Sequence, residues 1–154
     1  MERLDGRGIR IVVDAEKKLL LNVLKYHPFL IKPNNHELGD MFGVVLKTDE
    51  EIVTYAKKLQ EKGATNVLIS MAGDGAILLT ADGKHYKSPA PKGKLVNSVG
   101  AGDSMVAGFL TGCIESHDDL ETAFYMGVAT GSASAFSENL ATRPEVEGLL
   151  KTIR

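Results

Sequence analysis

The chain has 154 residues, 44% hydrophobic and 25% charged, with a formal net charge of −2. That length fits one domain with a real core, and the charge argues against nucleic-acid binding as the main business, since such domains usually show a basic excess or stripe. A single cysteine, Cys113, rules out an internal disulfide and points to a reducing, cytoplasmic setting; no apolar run reaches the ~20 residues of a membrane span, and Glu2, Arg3, Asp5 and Arg7 do not make a signal peptide.

Ile9 to Asp14 is a β-branched run ending in an acid, which predicts a buried strand. Glu16 to Tyr26 carries Leu19, Leu20, Val23 and Leu24 at helical spacing, and His27-Pro28 stops that helix. Phe29-Leu30-Ile31 is a second strand. Asn34 can cap a short helix over 35–42, with Glu37 placed to complete a capping box. Thr48 and Glu51 repeat the device for a helix whose Ile52, Val53, Ala56 and Leu59 face inward and which Gly63 closes. Asn66 to Ser70 is a third strand.

Beyond it the spacing tightens. Ala72-Gly73-Asp74-Gly75 separates two apolar runs by a turn too short for a helix, so Ala76 to Thr80 forms a hairpin strand, and Asp82-Gly83 leads into an edge strand at His85-Tyr86-Lys87. Pro89, Pro91 and Gly93 mark an exposed loop. Gly100 to Gly102 then open a long helix to about Ser116, with Val106, Phe109, Leu110 and Cys113 on one face. A second helix runs from Asp119 to about Ser137, and Arg143-Pro144-Glu145 opens a last one. Strands alternating with helices, followed by a helical tail, indicate an α/β sandwich with a mainly parallel sheet.

Several chemistries fail on spacing. Gly93-Lys94-Leu95 lacks the hydroxyl of a P-loop, Gly73-x-Gly75 lacks the third glycine of a dinucleotide fingerprint, and no Gly-x-Ser-x-Gly elbow occurs. His27, His36, His85 and His117 have no metal-ligand spacing and read as surface or turn residues. What remains is a set of small-residue turns after successive strands: Lys32-Pro33-Asn34 with Glu37, Ser70 to Gly75, and Gly100 to Asp103. Loops outside the carboxyl ends of strands in an open α/β sheet share one crevice, where ligands bind. A helix N-terminus behind glycines offers free amides to an anion, and a carboxylate there, Asp103, can take a proton from an alcohol. Asp103 is equally placed to be an ordinary N-cap. Asn34 and Glu37 supply hard oxygens for a magnesium ion, but the capping box needs the same Glu37.

These residues resemble a known family. Val99-Gly100-Ala101-Gly102-Asp103, opening a helix after a strand-rich half, is similar to the second signature of the PfkB carbohydrate kinases of the ribokinase-like fold. Asn34-Asn35-His36-Glu37 resembles their Asn-x-x-Glu motif, and Ser70-Met71-Ala72-Gly73-Asp74-Gly75-Ala76 their nucleotide loop. Three motifs in one order are far more specific than any alone. The resemblance implies a three-layer α/β/α sandwich, mainly parallel with an antiparallel hairpin. It implies Asp103 as catalytic base, Gly100, Ala101 and Gly102 as anion hole, and Glu37 with Asn34 organising Mg2+. Lys32 and the loop Ser70, Met71, Ala72, Gly73, Asp74 and Gly75 would contact ATP, and Gly127, Gly131 and Asn139 would line the nucleoside pocket.

Asn97-Ser98, where many members carry Asp-Thr, and Ile31-Lys32-Pro33-Asn34 are similar to the hexose-phosphate branch, the 1-phosphofructokinases and tagatose-6-phosphate kinases. The implied partners are ATP and a phosphosugar, fructose 1-phosphate first, with transfer to give the 1,6-bisphosphate. The family's opening strands, sugar-binding residues and β-strand lid would precede the region matching Ile9. Residues 1–154 therefore read as the nucleotide-binding and catalytic part of such a kinase, truncated at the N-terminus. Either it transfers phosphate, or it is a catalytically silent nucleotide-binding fragment whose uncovered apolar surface favours a homo-oligomer.

Overall fold

Of the run from Ile9 to Asp14, only Val12–Val13 enters a ladder, as strand β1, and both valines are half-buried. The computed structural model describes all 154 residues. Here the expectation of a buried strand is corrected: β1 ends the sheet order and has one neighbour, so one edge of its backbone stays unpaired. That neighbour is β2 (Leu30–Ile31), parallel, with Val12 opposite Leu30 and Val13 opposite Ile31. β3 (Asn66–Ser70) pairs parallel with β2, Leu30 opposite Asn66 and Ile31 opposite Val67.

β4 (Ala76–Leu79) and β5 (His85–Ser88) complete the five strands, which neighbour one another in chain order. Connections as short as those on either side of β4 cannot carry a parallel crossover, so these pairs run antiparallel and the sheet is mixed. In the β4–β5 turn the Thr80 hydroxyl donates to Asp82, and the Thr80 N–H donates to the Lys84 carbonyl at 2.9 Å.

The parallel strands need covering helices, and the sequence supplies them with caps. α1 (Lys17–Val23) tightens into a 3-10 turn at Leu24–Tyr26 and stops at His27, whose φ of 49° is left-handed. Leu20 and Leu24 are buried, but Leu19, expected on the same face, is 66% exposed; one helical step of about 100° turns it away from Leu20. α2 (Asn35–Phe42) and α3 (Asp49–Glu61) both begin with complete capping boxes, Asn34 with Glu37 and Thr48 with Glu51.

The chain divides into two compact units, residues 1–71 with 77–85, and residues 72–76 with 86–154. In the first, Leu20, Leu24, Ile31, Leu38, Ile52, Ala56, Leu59, Val67, Ile69, Ile77 and Leu79 pack one core. The second contains α4 (Ala101–Glu115), α5 (Leu120–Ala135) and α6 (Arg143–Ile153). Its close-packing device is glycine. Gly108 and Gly112 on α4, and Gly127 and Gly131 on α5, are four apart on each helix, so each pair lies on one face. A Cβ at Gly127 would stand 2.9 Å from the Met105 carbonyl oxygen, and one at Gly112 would stand 2.6 Å from Ala123 Cα. The two backbones thus approach more closely than side chains would allow, while Phe109 and Phe124 are fully buried, each contributing about 1.5–3 kcal/mol.

Candidate active site

In the first unit the candidate residues sit where the parallel strands end. Continuing the β1–β2 register by one residue sets Asp14 beside Lys32, and the Lys32 ammonium lies 3.2 Å from Asp14 Oδ2. Lys32 is 8% exposed, an unusual depth for a lysine, and the ion pair is what makes it tolerable. Two residues beyond Lys32, Asn34 forms an isolated parallel bridge with Ser70, and the Ser70 N–H donates to the Pro33 carbonyl at 3.2 Å. Pairing therefore extends past β2 into the loop at Asn34 and holds it beside Ser70, the last residue of β3 and the first of the second segment that the sequence singles out.

Asn34 and Glu37 hold each other. The Glu37 N–H donates to Asn34 Oδ1 and the Asn34 N–H donates to Glu37 Oε2, both at 2.8 Å. This is the capping-box role that competes with metal binding, and it does not exhaust the pair: Glu37 Oε1 has no hydrogen bond and the residue is only half-buried. No group of three or more His, Cys, Asp or Glu side chains is placed to hold a metal ion. A closed cage is thus excluded, whereas Mg2+ needs only one or two carboxylates with water and substrate phosphates. Glu37 fits that pattern.

In the second unit Ala72–Asp74 makes one exposed 3-10 turn, with Ala72 at a left-handed φ of 49°. Gly75 ends it at φ +94°, where a side chain would overlap the Ser88 carbonyl oxygen. α4 begins at Gly100, which is the N-cap at φ 79° and provides no side-chain cap. Asp103 is therefore the third helical residue, and its reading as the N-cap is corrected. The Ala101 N–H is taken by the Ser98 carbonyl at 3.2 Å, but the Gly102 and Asp103 amides and the exposed Asp103 carboxylate have no protein partner. Two free donors and one free acceptor at the positive end of a fifteen-residue helix are suited to an anion and to a proton beside it.

The approach to Gly100 is fixed by backbone. Val96 and Asn97 both donate to the Ala135 carbonyl, and Asn97 Oδ1 accepts from the Val99 N–H at 3.0 Å. Beneath it lies a polar relay absent from the expectation. The Ala141 N–H donates to Ser134 Oγ at 3.1 Å, which donates to Ser104 Oγ at 2.9 Å, with both serines buried. Gly127 and Gly131, expected to line a nucleoside pocket, each pack closely against α4, Gly131 beside the Ala101 carbonyl. Asn139 lies exposed in the turn after α5. Asp14, Ser104 and Ser134 are the residues the expectation missed. Only the first carried a signal, an acid closing a strand.

A family model described as "pfkB family carbohydrate kinase" matches residues 7–146. The chain belongs to this family. The pfkB chain is 53% identical over 153 residues to a 1-phosphofructokinase of Bacillus subtilis, covering 99% of itself and 50% of that protein. It is 40% identical over 133 residues to a D-tagatose-1-phosphate kinase of Bacillus licheniformis, covering 86% of itself and 43% of the relative. Among solved structures, phosphofructokinase-2 from Escherichia coli, in complex with substrates and products, superposes with a TM-score of 0.86 at 27% identity, over 95% of this chain and 48% of that one. The pfkB chain spans about half the length of the curated relatives it matches. Its mixed α/β sheet with covering helices is the ribokinase-like fold of these kinases. No helix is long and apolar enough to cross a membrane.

Proposed function

We propose that this chain is the nucleotide-binding and catalytic part of an ATP-dependent sugar-phosphate kinase, with fructose 1-phosphate as acceptor. The observation that carries the reading is the start of α4, where the Gly102 and Asp103 amides and the Asp103 carboxylate are all unengaged. In the reaction the acceptor hydroxyl oxygen bonds to the γ-phosphorus as the bond to the β-phosphate oxygen breaks, ADP leaves, and Asp103 takes the hydroxyl proton. The two amides stabilise the charge on the transferring group. Lys32 and the Ser70 to Gly75 loop bind the phosphates of ATP, and Asn139 contacts the nucleoside. Glu37, oriented by Asn34, would hold Mg2+, which when bound supplies neutralising charge to the phosphates.

The test is Asp103→Asn, which keeps the shape and removes the base. Phosphoryl transfer to fructose 1-phosphate should fall by about 10²–10⁴-fold, the usual worth of a positioned general base, with ATP affinity nearly intact. Unchanged turnover sinks the assignment. D-tagatose 1-phosphate is the second acceptor to try, because a relative named for it is 40% identical. Tagatose 6-phosphate, the alternative drawn from the motifs, is tried beside it. ATP binding without transfer to any of these sugars supports the silent-fragment reading instead.

A further inference from the structure

We infer that Asp14 is a positioning residue for phosphate recognition, fixing the Lys32 ammonium at the rim of the parallel strands; this rests on the ATP-dependent reading above. Lysine carries its charge on a flexible four-carbon stem, and its ammonium has three donors but no geometry of its own. At position 32 that freedom is removed twice. The stem is enclosed, the side chain being 9% exposed, and the head is paired with Asp14 Oδ2 at 3.2 Å. One donor is committed and two remain for an anion.

The pairing follows from the fold rather than from chance surface contact. Residues 14 and 32 are the next in-register neighbours after Val13 and Ile31, on adjacent parallel strands, at the end of the sheet where α/β proteins bind ligands. The exposed pair Lys17–Asp40 makes the contrast, with both side chains more than half open. Such a pair holds nothing in place. Asp14 is 35% exposed against 9% for Lys32, so the carboxylate is open to solvent while the lysine keeps only a small part of its side chain uncovered. Its carboxylate determines where the buried charge of Lys32 sits, and hence where a phosphate meets it.

The experiment uses the whole chain with Asp14→Asn, Asp14→Glu, Lys32→Met, the Asp14→Asn/Lys32→Met double variant, and Asp40→Asn as a control for net charge. Each is titrated calorimetrically with ATP and with adenosine. We expect Asp14→Asn and Lys32→Met each to weaken ATP about tenfold, in the range of a lost charge-assisted contact, and to leave adenosine within about twofold. The double variant should match Lys32→Met alone, since Asp14 acts through Lys32. Asp14→Glu should recover part of the loss, and Asp40→Asn should change nothing. Asp14→Asn binding ATP as tightly as the parent, or losing ATP and adenosine alike, overturns the proposal. Phosphoryl transfer by the parent is measured alongside, so that ATP binding without turnover counts against the kinase reading while the affinity pattern still decides Asp14.

Discussion

Replacing Gly131 and Gly148 by alanine, one at a time, separates helix propensity from helix packing. Both lie inside helices, α5 and α6, and in an unobstructed helix the change stabilises by up to about 1 kcal/mol. At Gly148 nothing lies within 4 Å of the new methyl, so that gain should be realised. At Gly131 the methyl would stand 3.0 Å from the Ala101 carbonyl oxygen and 3.1 Å from Met105 Cβ. Backbone cannot swing aside as a side-chain tip can, and overpacking of this kind costs about 1–3 kcal/mol. The propensity term cancels between the variants, leaving a gap of about 1–3 kcal/mol. That is roughly 2–12 °C in melting temperature for a chain of this size. Urea denaturation with a common m-value gives the same difference. Because Ala101 belongs to the turn that carries Gly102 and Asp103 and must give by a few tenths of an ångström, Gly131→Ala should also lower turnover, by less than the roughly hundredfold that a misplacement of about 1 Å costs. Equal stabilisation of the two variants would refute the claim that α4 and α5 meet through glycine.

Glu37→Gln separates the two roles of that residue. Glutamine also completes a capping box, so the melting point should move by no more than about 2 °C, whereas Mg2+-dependent ATP affinity should fall about tenfold or more with the lost charge; unchanged affinity removes Glu37 from the metal. Gly75→Ala places a methyl on the Ser88 carbonyl at a left-handed φ, and a loss above about 2 kcal/mol in equilibrium unfolding is expected. Acid should destabilise the protein through exposed carboxylates. Glu51, hydrogen-bonded by the Lys47 and Thr48 N–H groups, lies below its ordinary 4.5, and Asp82 and Asp119, bonded first by the Thr80 and Thr122 hydroxyls, lie below 3.8. A depressed folded pKa contributes stability above the unfolded value and loses it as pH falls through the folded one. The melting temperature should therefore be level from pH 7 to about 5 and drop below about 4, and Glu51→Gln should flatten part of that drop. A profile unaffected by Glu51→Gln would contradict the role of this capping box.

What the letters disclosed depended on how local each cause was. Thr48 with Glu51 and Asn34 with Glu37 declare their helices because the bonded groups lie within four residues, and both boxes are present as expected. β3 carries its own boundary in Asn66 and Ser70. Gly100 declares a helix start, but whether Asp103 caps that helix or stands free depends on where the turn closes, a matter of dihedral angle that composition does not encode. Leu19 and Val12 depart from their patterns because exposure is decided by what packs opposite. The α4 backbone packed against Gly127 and Gly131 is likewise not readable from α5 alone. The Ser104–Ser134 relay joins residues thirty apart and is invisible in either segment alone.

The bridge between Asn34 and Ser70 carries one more implication. Loops at the mouths of α/β sheets are usually where a protein opens first, since few of their amides are engaged. Here the two turns are laced to each other by main chain, as an extension of the weave that holds β2 against β3. Fluctuations that would part them must also unzip the central ladder, so hydrogen exchange at the Ser70 amide should report the cooperative opening of the first unit rather than a loop moving by itself.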